Sequence, residues 1–273
     1  MTSQRDKIAA FKALHERPGA FLLPNPWDAG TARLLVSLGF EALATTSFGL
    51  ANMLGQTEVS RDETLENCRL ICAATPLPVN ADLENGFGHA PREAAETIRL
   101  AGATGIAGGS IEDFSGDPNA PIYDFNHAVE RVEACVEAVR GLAAPFVFTA
   151  RAENLIRGVL DLDDTIKRLQ AFEKAGADVL YAPGLRTIDD MRAVIAEIGK
   201  PLNVVMGFAD PSITLEELSD AGVKRVSVGG ALSRVALQTF MDSARQMREG
   251  RFGFVERMMP AGALHAAFQP RSD

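Results

Sequence analysis

Short apolar runs alternate along the chain with longer segments in which apolar positions recur every three or four residues. The runs fall at 20–24, 41–46, 78–83, 105–113, 145–151, 178–182, 202–206 and 225–230. Runs this short, bounded by Gly, Pro and polar residues, read as buried strands. The periodic segments at 4–15, 28–38, 61–74, 91–101, 126–140, 162–175, 187–198, 214–220, 231–248 and 254–267 read as helices. Ser60 and Glu63 have the spacing of a capping box, and Pro91 stands at an early helical position. Gly39, Gly102, Gly176 and Gly222 each follow a helical segment and precede an apolar run, which predicts left-handed caps. Two segments read as loop: 47–58, with at most one helical turn, and the Pro/Gly-rich stretch 114–125.

Strands alternating with helices through short turns predict a parallel α/β fold, a (β/α)8 TIM-type barrel. The expected organisation is one barrel domain over 1–273, with 250–273 a C-terminal helical extension. A doubly wound open sheet is the runner-up. No GxGxxG follows the first strand, which weakens its dinucleotide-binding version.

Composition narrows the partners. A net charge of −9 and a pI near 5.1 argue against nucleic acid or an anionic membrane. No run reaches the roughly 18 apolar residues of a membrane span, and the N-terminus lacks the apolar block of a signal peptide. Cys68, Cys72 and Cys135 all fall in helical segments and fit reduced core thiols, so a cytoplasmic protein is expected.

The polar residues collect at one end of the strands. Their C-terminal ends carry Asn25 and Trp27, Thr45 to Ser47, Asp82 and Glu84, Glu112 and Asp113, Arg151 and Glu153, Tyr181, Asn203, and Gly229 with Gly230. The opposite ends carry Gly, Ala and Pro turns. Barrel enzymes place their sites at the C-terminal ends. Asp82 and Glu84, two apart, point to one side of a strand. Hard oxygen ligands of this kind suit Mg²⁺, so Asp82, Glu84 and Glu112 are candidate ligands, directly or through waters. Solvated acids at a strand end are the bland reading. Arg151 is placed to bind a substrate carboxylate or phosphonate; the other reading is an internal ion pair with Glu153 or Glu112. Backbone N–H groups at Thr46, Ser47 and Phe48 are candidates to hold an oxyanion. His89 and Tyr123 are candidates for proton transfer, against a plain surface-loop role for His89.

Together these pieces resemble the isocitrate lyase / phosphoenolpyruvate mutase superfamily over roughly residues 18–250. The resemblance is carried by Asn25-Pro26-Trp27-Asp28, the Thr45-Thr46-Ser47 turn, Leu54-Gly55-Gln56-Thr57-Glu58, Asp82-x-Glu84-x-Gly86-Phe87-Gly88, Ser110-Ile111-Glu112-Asp113, Thr149-Ala150-Arg151-Ala152-Glu153 and Ser227-Val228-Gly229-Gly230. It implies Mg²⁺, with Mn²⁺ as a substitute, on Asp82. Glu84 and Glu58 stand where the family more usually has Asp, and Glu112 supports the metal's waters. It also implies that Arg151 takes the substrate carboxylate and that Thr45 to Ser47 hold its oxo oxygen. Trp27, Phe48, Asn203 and Gly229 complete the expected substrate contacts.

Family members act on small α-oxo or α-hydroxy acids and are homo-oligomers, dimers or tetramers, in which the last helix is swapped between barrels. The segment 254–268 is the candidate for that helix; ordinary packing on its own barrel is the alternative. One departure stands out. The loop 114–125 carries no Cys, His or Lys, so neither the isocitrate-lyase cysteine motif nor the mutase lysine is present.

The expected function is a Mg²⁺-dependent lyase that cleaves a C–C bond of a small carboxylate through an enolpyruvate-like intermediate. A P–C bond enzyme of the phosphonopyruvate type is the second reading, and a non-catalytic α-oxo acid binding protein the third.

Overall fold

The computed structural model describes residues 2–269. Met1 and 270–273, at the ends of the expected 1–273 domain, lie outside the described residues. The strands are β1 (Phe21–Leu23), β2 (Leu43–Ala44), β3 (Val79–Asp82), β4 (Gly108–Glu112), β5 (Val147–Arg151), β6 (Val179–Tyr181), β7 (Leu202–Val205) and β8 (Arg225–Ser227). They pair in parallel in the order β1-β8-β7-β6-β5-β4-β3-β2. The remaining gap is bridged where Ala44 N–H donates to Pro24 O at 3.0 Å. The (β/α)8 barrel expected from the alternation is therefore the fold.

The helices are α1 (Gln4–Glu16), α2 (Ala29–Ser37), α3 (Ser47–Leu54), α4 (Arg61–Ala74), α5 (Pro91–Gly102), α6 (Phe125–Arg140), α7 (Leu162–Ala175), α8 (Ile188–Ala196), α9 (Leu215–Asp220), α10 (Ala231–Arg248) and α11 (Ala261–Phe268). The main core lies between strands and helices, with Leu43, Ile71, Leu83, Ile98, Phe148 and Phe172 among its buried members. A second core closes the N-terminal end of the barrel. There Ile8, Phe11 and Leu14 of α1 meet Phe21, Ala42, Val147 and Val179.

Barrel strands tilt by about 36° to the axis, so a row of paired residues moves along the barrel as it goes round. One row runs Glu112, Arg151, Tyr181, Asn203, Arg225, Phe21. It starts at the last residue of β4 and finishes at the first residue of β1. The mouth and the floor are thus linked by a continuous spiral of inward-facing side chains.

The structure corrects the sequence reading in four places. The stretch expected to be loop at 47–54 is α3. Its helix is set by the Thr46 side chain, which accepts from Gly49 N–H at 3.2 Å, and it is ended by Gly55 at φ 70°. The third strand stops at Asp82, and Glu84 stands in the left-handed region at φ 48°. The turn, not strand alternation, therefore places its carboxylate. Gly102 is the last residue of α5 and not a left-handed cap: the cap is Ala103, in the right-handed region, and Gly105 takes the positive φ of 93°. The single helix expected at 254–267 is a short 3-10 turn, Gly253–Arg257, followed by α11 behind Pro260. Pro260 cannot donate to a continuing helix.

In this single chain α11 lies against α2 of the same barrel, with Arg33 reaching Phe268 O at 3.4 Å. The neighbouring α10 leaves Val235 65% and Phe240 67% exposed.

Candidate active site

A cavity of about 540 Å³ opens at the C-terminal ends of the strands. Asp82 ends β3, Glu112 ends β4, Arg151 ends β5 and Tyr181 ends β6, so register alone brings them to one rim. Glu84 and Glu58 reach the same cavity from loops.

Asp82 is held on one side only. Its Oδ2 accepts from Ser47 N–H at 3.0 Å and from Ser47 Oγ at 2.9 Å. The first N–H of α3 therefore aims at this carboxylate, as helix N-termini do toward anions. Its backbone N–H donates to Thr45 Oγ1 at 2.9 Å. The other oxygen, Oδ1, is buried without a hydrogen-bond partner; its facing charge is Arg151 at 3.6 Å. A buried carboxylate oxygen left bare is costly.

The acids around it resist their own charge. Burial, then the Asp82 charge, pushes the Glu84 carboxyl up to about 7. Burial also raises Glu112 well above the ordinary range, with Arg151 pulling the other way. Arg151 donates to Glu153 and stands 3.1 Å from Glu112 Oε2. Its guanidinium lies over the Tyr181 ring at 4.9 Å. Burial works against the Arg151 charge, but Glu112, Glu153, Tyr181 and Asp82 together hold its pKa well above normal. The ion pairs weighed for Arg151 in the sequence are thus both formed, and the same side chain lines the cavity.

The remaining expected residues divide. Thr45, Thr46, Ser47, Phe48, Asn203 and Gly229 line the cavity. Ser47 N–H is already given to Asp82, and the Thr46 side chain is the cap of α3. Phe48 N–H, at the second helical position, has no intrahelical acceptor, as at any helix start. Trp27 is not among the residues that line the cavity: its backbone carbonyl takes Asn67 Nδ2 at 2.8 Å. His89 is also outside the lining; its Nδ1 pairs with Tyr123 OH at 2.8 Å.

Some lining residues had not been picked out. Arg157 stacks over Phe114 at 3.5 Å and pairs with Glu153 at 3.0 Å. Asn80, Ser110, Ser227 and Arg225 line the interior below the rim. Their signal was parity: Asn80 is two residues before Asp82, Ser110 two before Glu112, and Arg225 two before Ser227. Inward positions recur at every second strand residue.

Among the described residues no three His, Cys, Asp or Glu side chains converge on one point. Mg²⁺ does not require that, since it usually keeps several waters and takes one or two carboxylates. The bare Oδ1 of Asp82 fits one direct contact, and Glu84, Glu112 and Glu58 fit contacts through water.

The family profile described as phosphoenolpyruvate phosphomutase matches residues 11–248. A Burkholderia cenocepacia protein whose crystal structure carries a provisional lyase/mutase description is 53% identical, with a TM-score of 0.95 over 98% of this chain and 97% of that one. Oxaloacetate decarboxylase of Pseudomonas entomophila is 27% identical over 256 residues, 90% of this chain and 86% of the relative. Oxaloacetate acetylhydrolase, solved in complex with the product oxalate, is 26% identical with a TM-score of 0.86, over 97% of this chain and 94% of that one.

Proposed function

This chain belongs to the phosphoenolpyruvate phosphomutase family, and from that premise we propose that it is a Mg²⁺-dependent lyase acting on a small α-oxo or α-hydroxy carboxylate. The bond broken is a C–C bond next to the carbonyl carbon, and the product leaves as an enolpyruvate-like species that is then protonated. The observation that carries this reading is the bare, buried Oδ1 of Asp82 beside Arg151 inside a cavity at the strand ends.

Asp82 would hold the ion directly, with Glu84, Glu112 and Glu58 holding its waters; Mn²⁺ satisfies the same oxygen donors. Bound there, the metal supplies Lewis acidity toward the oxygen on which charge develops. The chain's own residues do the rest. Ser47 fixes the Asp82 carboxylate through two hydrogen bonds. Arg151 offers its guanidinium to a substrate carboxylate, and Glu112 and Glu153 keep it oriented. The Phe48 N–H, at the start of α3, would donate to an enolate oxygen. Phe114 and Arg157 stack at the rim, where they narrow the opening to water.

Carbon–carbon chemistry is favoured because the loop 114–125 has no lysine to serve a phosphoryl group. Phosphorus–carbon chemistry remains the second reading, since the matching profile is that of a phosphomutase. The test is a turnover screen of oxaloacetate, alkylated malates, 2-methylisocitrate and phosphonopyruvate, with Mg²⁺ and with EDTA. EDTA-sensitive release of pyruvate from one of the carbon substrates is the expected result. Turnover of phosphonopyruvate alone would replace the reading with the second. Turnover of none, with oxalate and Mg²⁺ still raising the melting temperature, would replace it with a binding protein.

The exposed apolar residues of α10 also support a homo-oligomer. Light scattering should give a dimer or tetramer mass; a monomer mass at micromolar concentration would remove that expectation.

A further inference from the structure

Arg225 is the odd charge in this barrel. It is the first residue of β8, 1% exposed, and turned into the interior. Its Nε donates to Asn203 Oδ1 at 2.7 Å, and one Nη donates to Thr149 Oγ1 at 3.0 Å. The other, Nη1, is buried and has no acceptor. Among the described residues no carboxylate pairs with it. Burial pulls its pKa down to about 9, which still leaves it charged near neutral pH. Of the other arginines that line the cavity, Arg151 and Arg157 sit among acids and Arg234 is exposed to solvent. A guanidinium held by two neutral oxygens, with a third donor buried and unpaired in a residue that lines the cavity, has lost its water shell without gaining a counter-charge.

The geometry points to Arg225 as the receptor for a second carboxylate of the ligand, at the floor of the cavity that Arg151 guards at its rim. This rests on the lyase reading of the site and narrows its substrate to dicarboxylates. Three observations support it. Arg225 and Arg151 line the same cavity and belong to the same spiral row, with Tyr181 and Asn203 between them. The Tyr181 ring lies 4.9 Å from the Arg151 guanidinium, and Asn203, paired with Tyr181 in the row, accepts from Arg225 Nε at 2.7 Å, so the two cations are linked through neighbouring side chains. Thr149 and Asn203 lock the guanidinium plane, so its free edge is presented without further loss of side-chain freedom. Asn80, whose Oδ1 is also buried and unsatisfied, lines the same cavity.

The experiment is calorimetric titration of the Mg²⁺-loaded protein with malate and with lactate, 2-hydroxy acids that differ in the second carboxylate. Wild type should prefer malate. In Arg225→Gln, malate affinity should fall at least about tenfold while lactate affinity stays within about twofold. Arg225→Lys, which keeps the charge and loses the fork, should recover part of the preference, and it carries the same test if the Gln variant does not fold. An unchanged malate-to-lactate ratio in either folded variant, or no preference in wild type, overturns the proposal and leaves the free donor to water. Binding does not depend on turnover. A protein that turns over nothing in the screen yet loses its malate preference on substitution keeps this inference and sinks the lyase reading; turnover with an unchanged ratio does the reverse.

Discussion

At the N-terminal ends of the strands, Phe21, Ala42, Val147 and Val179 close on Ile8, Phe11 and Leu14 of α1. At the C-terminal ends the same sheet finishes in Asp82, Glu112, Arg151 and Tyr181. The first set is apolar and close to fully buried, and each side chain adds to stability by leaving water. The second set is penalised for its burial: Glu84 is raised to about 7, Tyr181 to about 12, and Asp82 Oδ1 has no hydrogen-bond donor. Two loop residues beside it, Glu84 and Phe87, also hold positive φ angles of 48° and 58°, which non-glycine residues adopt at a cost. The concentration of such unfavourable features at one end of the sheet is the physical ground for placing the candidate site there and the stabilising core at the other end.

The widest break between the two ends should come from Asp82→Ala. Metal-dependent turnover should drop on the order of a thousandfold, the kinetic equivalent of several kcal/mol of Lewis-acid stabilisation. Its unfolding midpoint in urea should move far less than that of a floor variant, because one bare buried oxygen leaves with the side chain. Near-normal, EDTA-sensitive turnover in this variant would remove Asp82 from the metal site.

Phe11→Ala is the reciprocal change. Phe11 is fully buried, with ring edges against His15 at 4.7 Å and Phe21 at 6.2 Å. Truncation should cost roughly 3–5 kcal/mol of stability, read by urea unfolding. Ligand affinity per folded molecule should stay within about twofold. If affinity collapses while stability holds, the floor is part of the site and the separation is wrong.

How much of this was legible beforehand depends on whether local sequence carried the cause. The eight strands and α4, α7 and α10 follow from apolar period and caps, which are local. The helix α3 was hidden because Ser47, Phe48 and Gly49 show no apolar period; its start is fixed by the Thr46 cap and by Asp82, thirty-five residues on from Ser47. Asp82, Glu112 and Arg151 were visible because they end apolar runs. Arg225 and Asn80 were not, because they lie inside such runs, and only strand parity exposes them as inward-facing. Trp27 is drawn in by its place at the end of the first strand, and His89 by its place just beyond Phe87-Gly88. The turn through Phe87 carries His89 away to Tyr123, and Trp27 gives its backbone carbonyl to Asn67 without lining the cavity.

The smallest effect comes from one polar group inside the apolar floor, and it tests how dry that floor is. His15 Nδ1 lies 2.8 Å from Phe11 O, so that nitrogen carries the proton, and Nε2 is buried with no partner. Burial first, and then the Arg225 charge, depresses the imidazole to about 3. The folded chain therefore stays neutral at His15 while the unfolded chain takes up a proton below about 6.5. Stability is intact above that pH and is lost as pH falls toward about 3, by up to about 1.4 kcal/mol per unit from this one group. Other carboxylates also titrate there, so the reading is a difference. The drop in urea midpoint between pH 7 and pH 4.5 should be smaller in His15→Phe than in wild type. Equal drops would mean that water reaches Nε2 and that the barrel floor is wetter than its apolar lining implies.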